Sequence, residues 1–397
     1  MTGYASKKIR LCIVMGSHWE TRMGGAQYQV RCLLDQLKLQ PEFESFYLTR
    51  LAPNNLERDH YTIVPFGSAK QIGRASFIPD LQPLYQALKS VAPDIIYQRG
   101  LKSYTAACAL YSRRHQARFI FHAAHDDDVQ HQKSTGWRPS RIMSRLERRL
   151  SEWGLRRADA IVVQTNDQRS MLKREYGLSA ALTVRNFHPL PSSLPQRKDP
   201  ELLRVTWIAN FKPWKNPEIF VSLAEHFAGR PDIEFVMIGR SNEQYSALRE
   251  RIARVPNLRY LGELQIEQVN DVLGESDLFV NTSKAEGFAN TFIQAWLRRV
   301  PVISCYVDPD RCLSEGGSGI LTGNAEGLVK AIDQLLQNRE SLEQLKTAAH
   351  NYGIKNHSAE QAKPLISMLH ELASQESSNT QTAARGAQIS MGNGERK

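Results

Sequence analysis

Apolar positions along the chain fall into two kinds of run. Short stretches rich in β-branched and aromatic residues lie at Ile9–Met15, Phe46–Leu48, Ile95–Tyr97, Phe119–Phe121 and Ala160–Val163. Between them are longer stretches with a helical spacing, at Ala26–Leu39, Leu81–Val91, Leu101–His115 and Ser140–Arg156. A short unbroken apolar run suits a strand covered on both faces, and strands alternating with helices predict a parallel sheet between two helical layers. The period stops where Pro189, Pro191, Pro195 and Pro200 crowd together, which predicts a linker. It then restarts, with strands predicted at Val205–Ile208, Phe235–Ile238, Leu258–Leu261, Leu278–Val280 and Val302–Ser304. Helices are predicted at Pro217–Phe227, Ser246–Arg254, Gln265–Leu273 and Asn290–Leu297.

The pattern predicts an α/β protein of two Rossmann-like, doubly wound domains in tandem. The first spans residues 1–186, the linker 187–203 and the second 204–373, whose last helix is free to return to the first domain. The small, polar residues 374–397 are expected to be disordered. Ligands of such sheets bind outside the carboxyl ends of the strands, so two facing sheets predict a cleft as the functional region. The fold alone names no activity.

Composition narrows the classes. Hydrophobic residues make up 41% of 397, enough for large cores. Lys plus Arg number 51 against 41 Asp plus Glu, a net charge of +10 that favours an anionic partner. Five scattered cysteines without a CxxC pair argue against a zinc knuckle or disulfide framework and for a reducing, cytoplasmic compartment. The apolar run Leu11–Met15 is too short for a signal-peptide core, and no stretch approaches the roughly 20 apolar residues of a membrane span.

Five segments carry candidate chemistry. Gly24-Gly25, opening a helix after the first strand, either lets a ligand approach backbone N–H groups or is an ordinary turn. There is no GxGxxG, which disfavours a nicotinamide cofactor. Lys215, in Phe211–Pro217 before a helix start, either completes an anion site or is a solvated loop lysine. In Glu286-Gly287-Phe288-Ala289-Asn290, Asn290 is a plausible N-cap, and Glu286 and Gln294 can face one small ligand across the helix start. His122-Ala123-Ala124-His125-Asp126-Asp127-Asp128 has the residue types of a metal cluster, with a DxD at Asp126 and Asp128, or is a solvated acidic loop. The Arg138–Arg157 segment sets arginines around an apolar face of Leu146, Leu150 and Trp153, either a membrane-surface helix held by anionic lipid or a packed helix with a basic outside.

Taken together these segments resemble glycosyltransferase family 4, of the GT-B fold, over roughly residues 7–373. Gly24-Gly25 resembles the family's Gly-Gly loop and His125-Asp126 its HD pair. Arg157–Thr165 resembles its RAD strand, and Val184-Arg185-Asn186 its IPN turn. The most specific likeness is Glu286–Asn290, Gln294-Ala295 and Pro301-Val302-Ile303, similar to the EGFPN…EA…PVI block.

The resemblance implies sugar transfer from a nucleotide diphosphate donor with retention of configuration and no metal. Lys215 would hold the diphosphate, Glu286 the donor-sugar hydroxyls, and Gly287, Phe288, Ala289 and Asn290 would meet sugar and phosphate. Gly24, Gly25, Asn210, Lys212, Gly239 and Gln294 join the donor side by the same resemblance, His125 would sit at the reacting sugar, and Arg99 and His122 fall on the acceptor side. Two positions depart from the family: Asn210 stands for an arginine, with Lys212 a replacement charge, and Gln294 for the ribose-binding glutamate. A glutamine still accepts one hydroxyl and donates to another. The acceptor implied by analogy is a glycan or lipid-linked molecule of a surface polysaccharide; the arginines of Arg138–Arg157 make an anionic membrane surface a further candidate partner. A nucleotide-sugar epimerase of the same fold is the alternative, and a basic membrane- or nucleic-acid-binding protein a more distant one. No basic motif with interleaved aromatics supports nucleic acid.

Overall fold

The computed structural model describes residues 7–67, 78–131, 139–194 and 201–375, with the backbone alone for 139–143. Of the tail expected disordered at 374–397, residues 374 and 375 instead continue a helix and 376–397 lie outside the described residues, as do the linker prolines Pro195 and Pro200, Arg138 and the side chain of Arg141. The chain forms two compact units. One runs to Val184 and resumes at Gln361; the other is Arg185–Glu360.

Unit 1 contains β1 (Ile9–Ser17), α1 (Gly25–Leu37), β2 (Phe43–Leu51), β3 (Thr62–Pro65), α2 (Leu81–Val91), β4 (Ile95–Arg99) and α3 (Tyr104–His115). There follow β5 (Arg118–His122), α4 (Pro139–Leu155), β6 (Ala160–Val163), α5 (Asn166–Tyr176) and β7 (Leu182–Thr183). The seven strands are parallel in the order β3-β2-β1-β4-β5-β6-β7. Leu11 to Val14 on the interior strand β1 are wholly buried, as a strand covered on both faces requires. Cys12, Val14, Ile96, Phe119, Phe121 and Val163 build the core on one face. A last helix over 363–375 (α12) also belongs to this unit, where His370 meets the Glu42 carboxylate at 3.0 Å and the Phe43 ring at 4.8 Å.

Unit 2 contains β8 (Leu203–Ile208), α6 (Pro217–His226), β9 (Ile233–Ile238), α7 (Ser246–Ala253), β10 (Leu258–Tyr260), α8 (Ile266–Gly274) and β11 (Leu278–Asn281). It continues with α9 (Asn290–Trp296), β12 (Val302–Ser304), β13 (Gly319–Leu321), α10 (Ala325–Gln337) and α11 (Arg339–His357). Its six parallel strands run β10-β9-β8-β11-β12-β13. Alternate residues separate two cores. Val205, Trp207, Phe235 and Met237 pack with α6 and α10, while Val236, Ile238 and Phe279 pack with Phe292 and Trp296 of α9.

Both sheets therefore reverse their winding beside their first strand, at β1/β4 and at β8/β11, which is where doubly wound sheets open a ligand crevice. The pattern of apolar runs passes over β3, β7 and β13, outer strands of only two to four residues, and over α5, α10 and α11. The signal for α5 is its ends: Thr165 accepts from the Gln168 N–H at 3.0 Å, and Gly177 closes the helix in the left-handed region. Phe187 and His188 are buried within unit 2, and the His188 N–H donates to the His357 carbonyl at 2.9 Å.

Candidate active site

In unit 2 the loops after β8 and β11 are joined by hydrogen bonds at the switch point. The Asn216 side-chain amide donates to the Thr282 carbonyl at 3.0 Å, and the Thr282 hydroxyl donates to the Lys215 carbonyl at 2.6 Å. The Lys284 N–H donates to the Trp214 carbonyl at 2.8 Å, and the buried Trp207 indole donates to the Thr282 hydroxyl at 2.8 Å. Asn216 takes a positive φ of 45°, which an asparagine tolerates, so that Pro217 can open α6. On this joined base the Lys215 ammonium donates to the Glu286 carboxylate, both side chains being mostly buried. The two residues picked out in separate sequence segments thus meet as one ion pair.

The loop that carries Glu286 is held from behind. Phe288 turns its ring into the core, 4.7 Å from the His357 ring, and its carbonyl accepts from the Asn186 amide at 3.3 Å. Asn290 is not the N-cap: Ala289 occupies that position, and the Asn290 side-chain oxygen pairs with the His188 ring at 3.2 Å. The helix start needs no side-chain cap because the tertiary contacts of this loop fix it. Burial holds both His188 and His357 down to about 3, so both rings are neutral. Neither histidine was singled out in the sequence; they become neighbours of the loop only on folding.

The remaining donor-side candidates differ in what they do. Gln294 is buried and donates to the Asn270 side chain of α8 at 2.8 Å, so its amide nitrogen is engaged within the protein. Asn210 accepts the Arg240 N–H at 2.9 Å, a contact between the loops after β8 and β9, and Lys212 lies over the Trp214 ring at 4.9 Å. Gly239 has φ +143°, and a Cβ there would come within 1.8 Å of the Ala209 carbonyl oxygen. Backbone crowding alone therefore demands that glycine. Gly287 is buried in the same loop as Glu286.

In unit 1, Gly24 is the N-cap of α1 in extended conformation, and a Cβ would meet only the flexible end of Gln27. Nothing in the backbone demands glycine at 24. Gly25 is the first helical residue. Arg99 and His122 sit side by side at the carboxyl ends of β4 and β5, nearly wholly buried. The His122 Nδ1 lies 2.6 Å from the Tyr97 hydroxyl and 3.3 Å from the Arg99 guanidinium. Burial, with the arginine beside it, pushes His122 well below its ordinary value, so the ring is neutral. With Nδ1 accepting, the proton sits on Nε2, which is buried without a partner.

His125 is half exposed and caps a single turn, its Nδ1 accepting the Asp127 N–H at 3.2 Å. The aspartates beside it hold the loop itself. Asp128 accepts from the N–H groups of Ala124 at 2.7 Å, His125 at 3.0 Å and Leu101 at 2.9 Å, while Asp126 accepts from the Gln168 amide at 3.0 Å. Among the described residues no group of three or more His, Cys, Asp or Glu is arranged to hold a metal ion.

Comparison with known proteins bears on the fold and the family. Residues 23–185 match the Glycosyltransferase Family 4 model and residues 203–338 the model for Glycosyl transferases group 1, together about three quarters of the chain. No curated protein matches by sequence. Among solved structures, HepE from Anabaena in complex with UDP is similar at TM-score 0.71 and 16% identity, over 91% of this chain and 100% of that one. WaaG, a glycosyltransferase involved in lipopolysaccharide biosynthesis, is similar at TM-score 0.69 and 11% identity, over 90% and 99%. Sucrose-phosphate synthase from Thermosynechococcus elongatus is similar at TM-score 0.66 and 17% identity, over 96% and 100%. Two parallel sheets of matching topology, each under its own domain model, make this chain a member of the GT-B glycosyltransferases, with a family 4 domain followed by a group 1 domain.

Proposed function

We propose that this glycosyltransferase takes its sugar from a nucleotide diphosphate donor and passes it, with retention of configuration and without a metal, to a glycan or lipid-linked acceptor in surface polysaccharide synthesis. The observation that carries the reading is the Lys215–Glu286 pair on joined loops at the β8/β11 switch point. Breaking a glycosyl–phosphate bond gathers negative charge on the leaving diphosphate and positive charge on the sugar. Lys215 offsets the first, and the Glu286 carboxylate accepts the sugar hydroxyls. Gly287 and the backbone of Phe288 to Asn290 complete the donor side, and His125 is the unit 1 residue proposed to act at the sugar. Similarity to HepE, solved with UDP and with UDP-glucose, supports a nucleotide-sugar donor, and similarity to WaaG supports a surface-glycan acceptor. All five cysteines are buried free thiols, which suits a reducing cytoplasmic compartment at the inner face of the membrane. No helix among the described residues is long and apolar enough to cross a membrane.

The test is a thermal-shift panel of nucleotide diphosphate sugars. A true donor at 100 times its Kd stabilises the folded chain by about 2.7 kcal/mol. The donor so found is then offered with glycan acceptors in the presence of EDTA. Transfer that persists supports the reading; turnover lost to EDTA and restored by Mn²⁺ or Mg²⁺ returns the chemistry to Asp126 and Asp128. A structure assigned provisionally as a UDP-N-acetylglucosamine 2-epimerase from Listeria monocytogenes is also similar, at TM-score 0.63 and 17% identity. Epimerised sugar formed with no acceptor present would identify that second activity.

A further inference from the structure

The loop between β1 and α1 builds an aromatic shelf in unit 1. Ser17 ends β1, and His18 and Trp19 follow it at the carboxyl edge of the sheet, beside the β1/β4 switch point. His18 is wholly buried and Trp19 half-buried. The centroid of the indole lies 3.9 Å from that of the His18 ring, with 30° between the planes. It meets the Tyr47 ring edge-on at 5.5 Å and sits 5.8 Å from the Tyr61 ring. Rings at such separations attract one another and fix each other's tilt. The supporting rings are themselves bonded in place. The Tyr47 hydroxyl donates to the Ser17 carbonyl at 2.9 Å. Burial holds His18 down to about 4, so its ring is neutral, and its Nδ1 accepts the Glu20 N–H at 3.3 Å. The ring proton therefore sits on Nε2, 3.1 Å from the Tyr61 hydroxyl. That hydroxyl also accepts from the Arg58 guanidinium at 3.1 Å, and Arg58 pairs with Glu20.

Trp19 thus has a fixed orientation and a part of its ring left to solvent. Among the described residues its indole N–H has no hydrogen-bond partner, and it is not sealed in the interior. Arg99 and His122, at the carboxyl ends of β4 and β5, are nearly wholly buried and present little surface to a ligand. A rigid aromatic face with an outward N–H suits a saccharide. The C–H bonds on one face of a pyranose carry partial positive charge from the neighbouring oxygens and settle on the negative face of an aromatic ring. A sugar hydroxyl can then accept from the N–H. An acyl chain gains apolar area there but nothing from the flat ring or the N–H. A nucleobase also stacks, yet the charged pair suited to a nucleotide diphosphate donor, Lys215 with Glu286, lies in unit 2.

We propose that Trp19 is the stacking platform for a sugar ring of the acceptor, so that the accepting end of that molecule is a saccharide rather than a bare lipid. The inference rests on the reading of the chain as a transferase onto a glycan or lipid-linked acceptor, and it names the residue that selects a sugar there.

The test labels the full chain with fluorotryptophan and follows the fluorine resonance of Trp19, assigned by its absence from Trp19→Phe. The probes are lactose, cellobiose, maltose, uridine and octyl phosphate. At least one disaccharide is expected to shift the resonance saturably, and uridine and octyl phosphate to leave it in place. No donor is present, so this arm reads the shelf whether or not the donor reading holds. The second arm uses the donor found by thermal shift and a glycan that accepts its sugar. Trp19→Leu keeps apolar bulk against Tyr47 and Tyr61 and should raise acceptor KM roughly tenfold with donor KM unchanged. Trp19→Phe restores a flat ring and should stay within a few fold of the wild type. A residue that only fills the fold would tolerate leucine. Absence of any disaccharide shift, a shift by uridine or octyl phosphate alone, or an unchanged acceptor KM in Trp19→Leu overturns the proposal. So does an equal loss in Trp19→Phe and Trp19→Leu. A disaccharide shift in a chain that binds no nucleotide diphosphate sugar supports the platform and overturns the donor reading instead.

Discussion

The switch points of the two sheets share a strand order and differ in chemistry. At β8/β11 in unit 2 the loops are bonded to each other and end in a charged pair, Lys215 with Glu286. Next to the β1/β4 switch point of unit 1, at the carboxyl ends of β4 and its neighbour β5, the polar side chains instead lie inside the protein, with a neutral His122 beside Tyr97 and Arg99. The glycines differ likewise: Gly239 is forced by its own backbone and Gly24 is not. One topology thus supplies two crevices, and the loops alone make one of them an ionic site with its charges already in place.

The largest effect should come from breaking the ionic site. Lys215→Met removes the cation proposed to face the leaving diphosphate, and turnover should fall on the order of 10²–10³. Glu286→Gln should lower kcat tenfold or more with a smaller change in KM, since bonds to sugar hydroxyls strengthen in the transition state. Steady-state kinetics on the donor found by thermal shift reads both. Normal turnover in either variant would move the reaction away from this pair.

The glycines sharpen the contrast in stability. Gly239→Ala should destabilise unit 2 by about 3 kcal/mol or more, because a backbone oxygen blocks the new Cβ and φ is unsuited to alanine. Gly24→Ala should cost less than about 1 kcal/mol, since only Gln27 must move. Urea unfolding of the two variants decides it; equal losses would erase the distinction.

Acid should loosen the support of the unit 2 loop. His188 and His357 fall from an ordinary 6.5 to about 3 on folding, so the native state excludes protons that the unfolded chain binds. Their contribution is complete above pH 6.5 and declines as pH falls from there toward 3. Thermal midpoints should drop over that window, and His188→Gln should show a shallower drop. An unchanged slope in that variant would assign the acid sensitivity to other groups, His18 at about 4 among them.

The smallest effect should follow Gln294→Glu. The Asn270 amide can turn to donate to the new carboxylate, so the fold should hold and kcat stay within a few fold while donor KM shifts. A collapse of kcat would place Gln294 at the reacting centre instead.

The alternation of apolar runs was enough for two doubly wound units, because a strand buried on both faces must be apolar along its length, as Leu11 to Val14 are. The segment around Glu286 and the loop of Lys215 were also legible, since a local string of residues carries them. Folding alone decided that these loops bond to each other, that Phe187 and His188 pack into unit 2, that His357 sits behind Phe288, and that Asp128 spends its carboxylate on three backbone N–H groups. It also decided that the apolar face of α4 borders an open groove rather than a closed core. The reason is physical: periodicity and motifs report what neighbouring residues along the chain can do, whereas a hydrogen bond such as Asn186 to Phe288 spans a sequence separation of 102 and depends on how strands and helices pack.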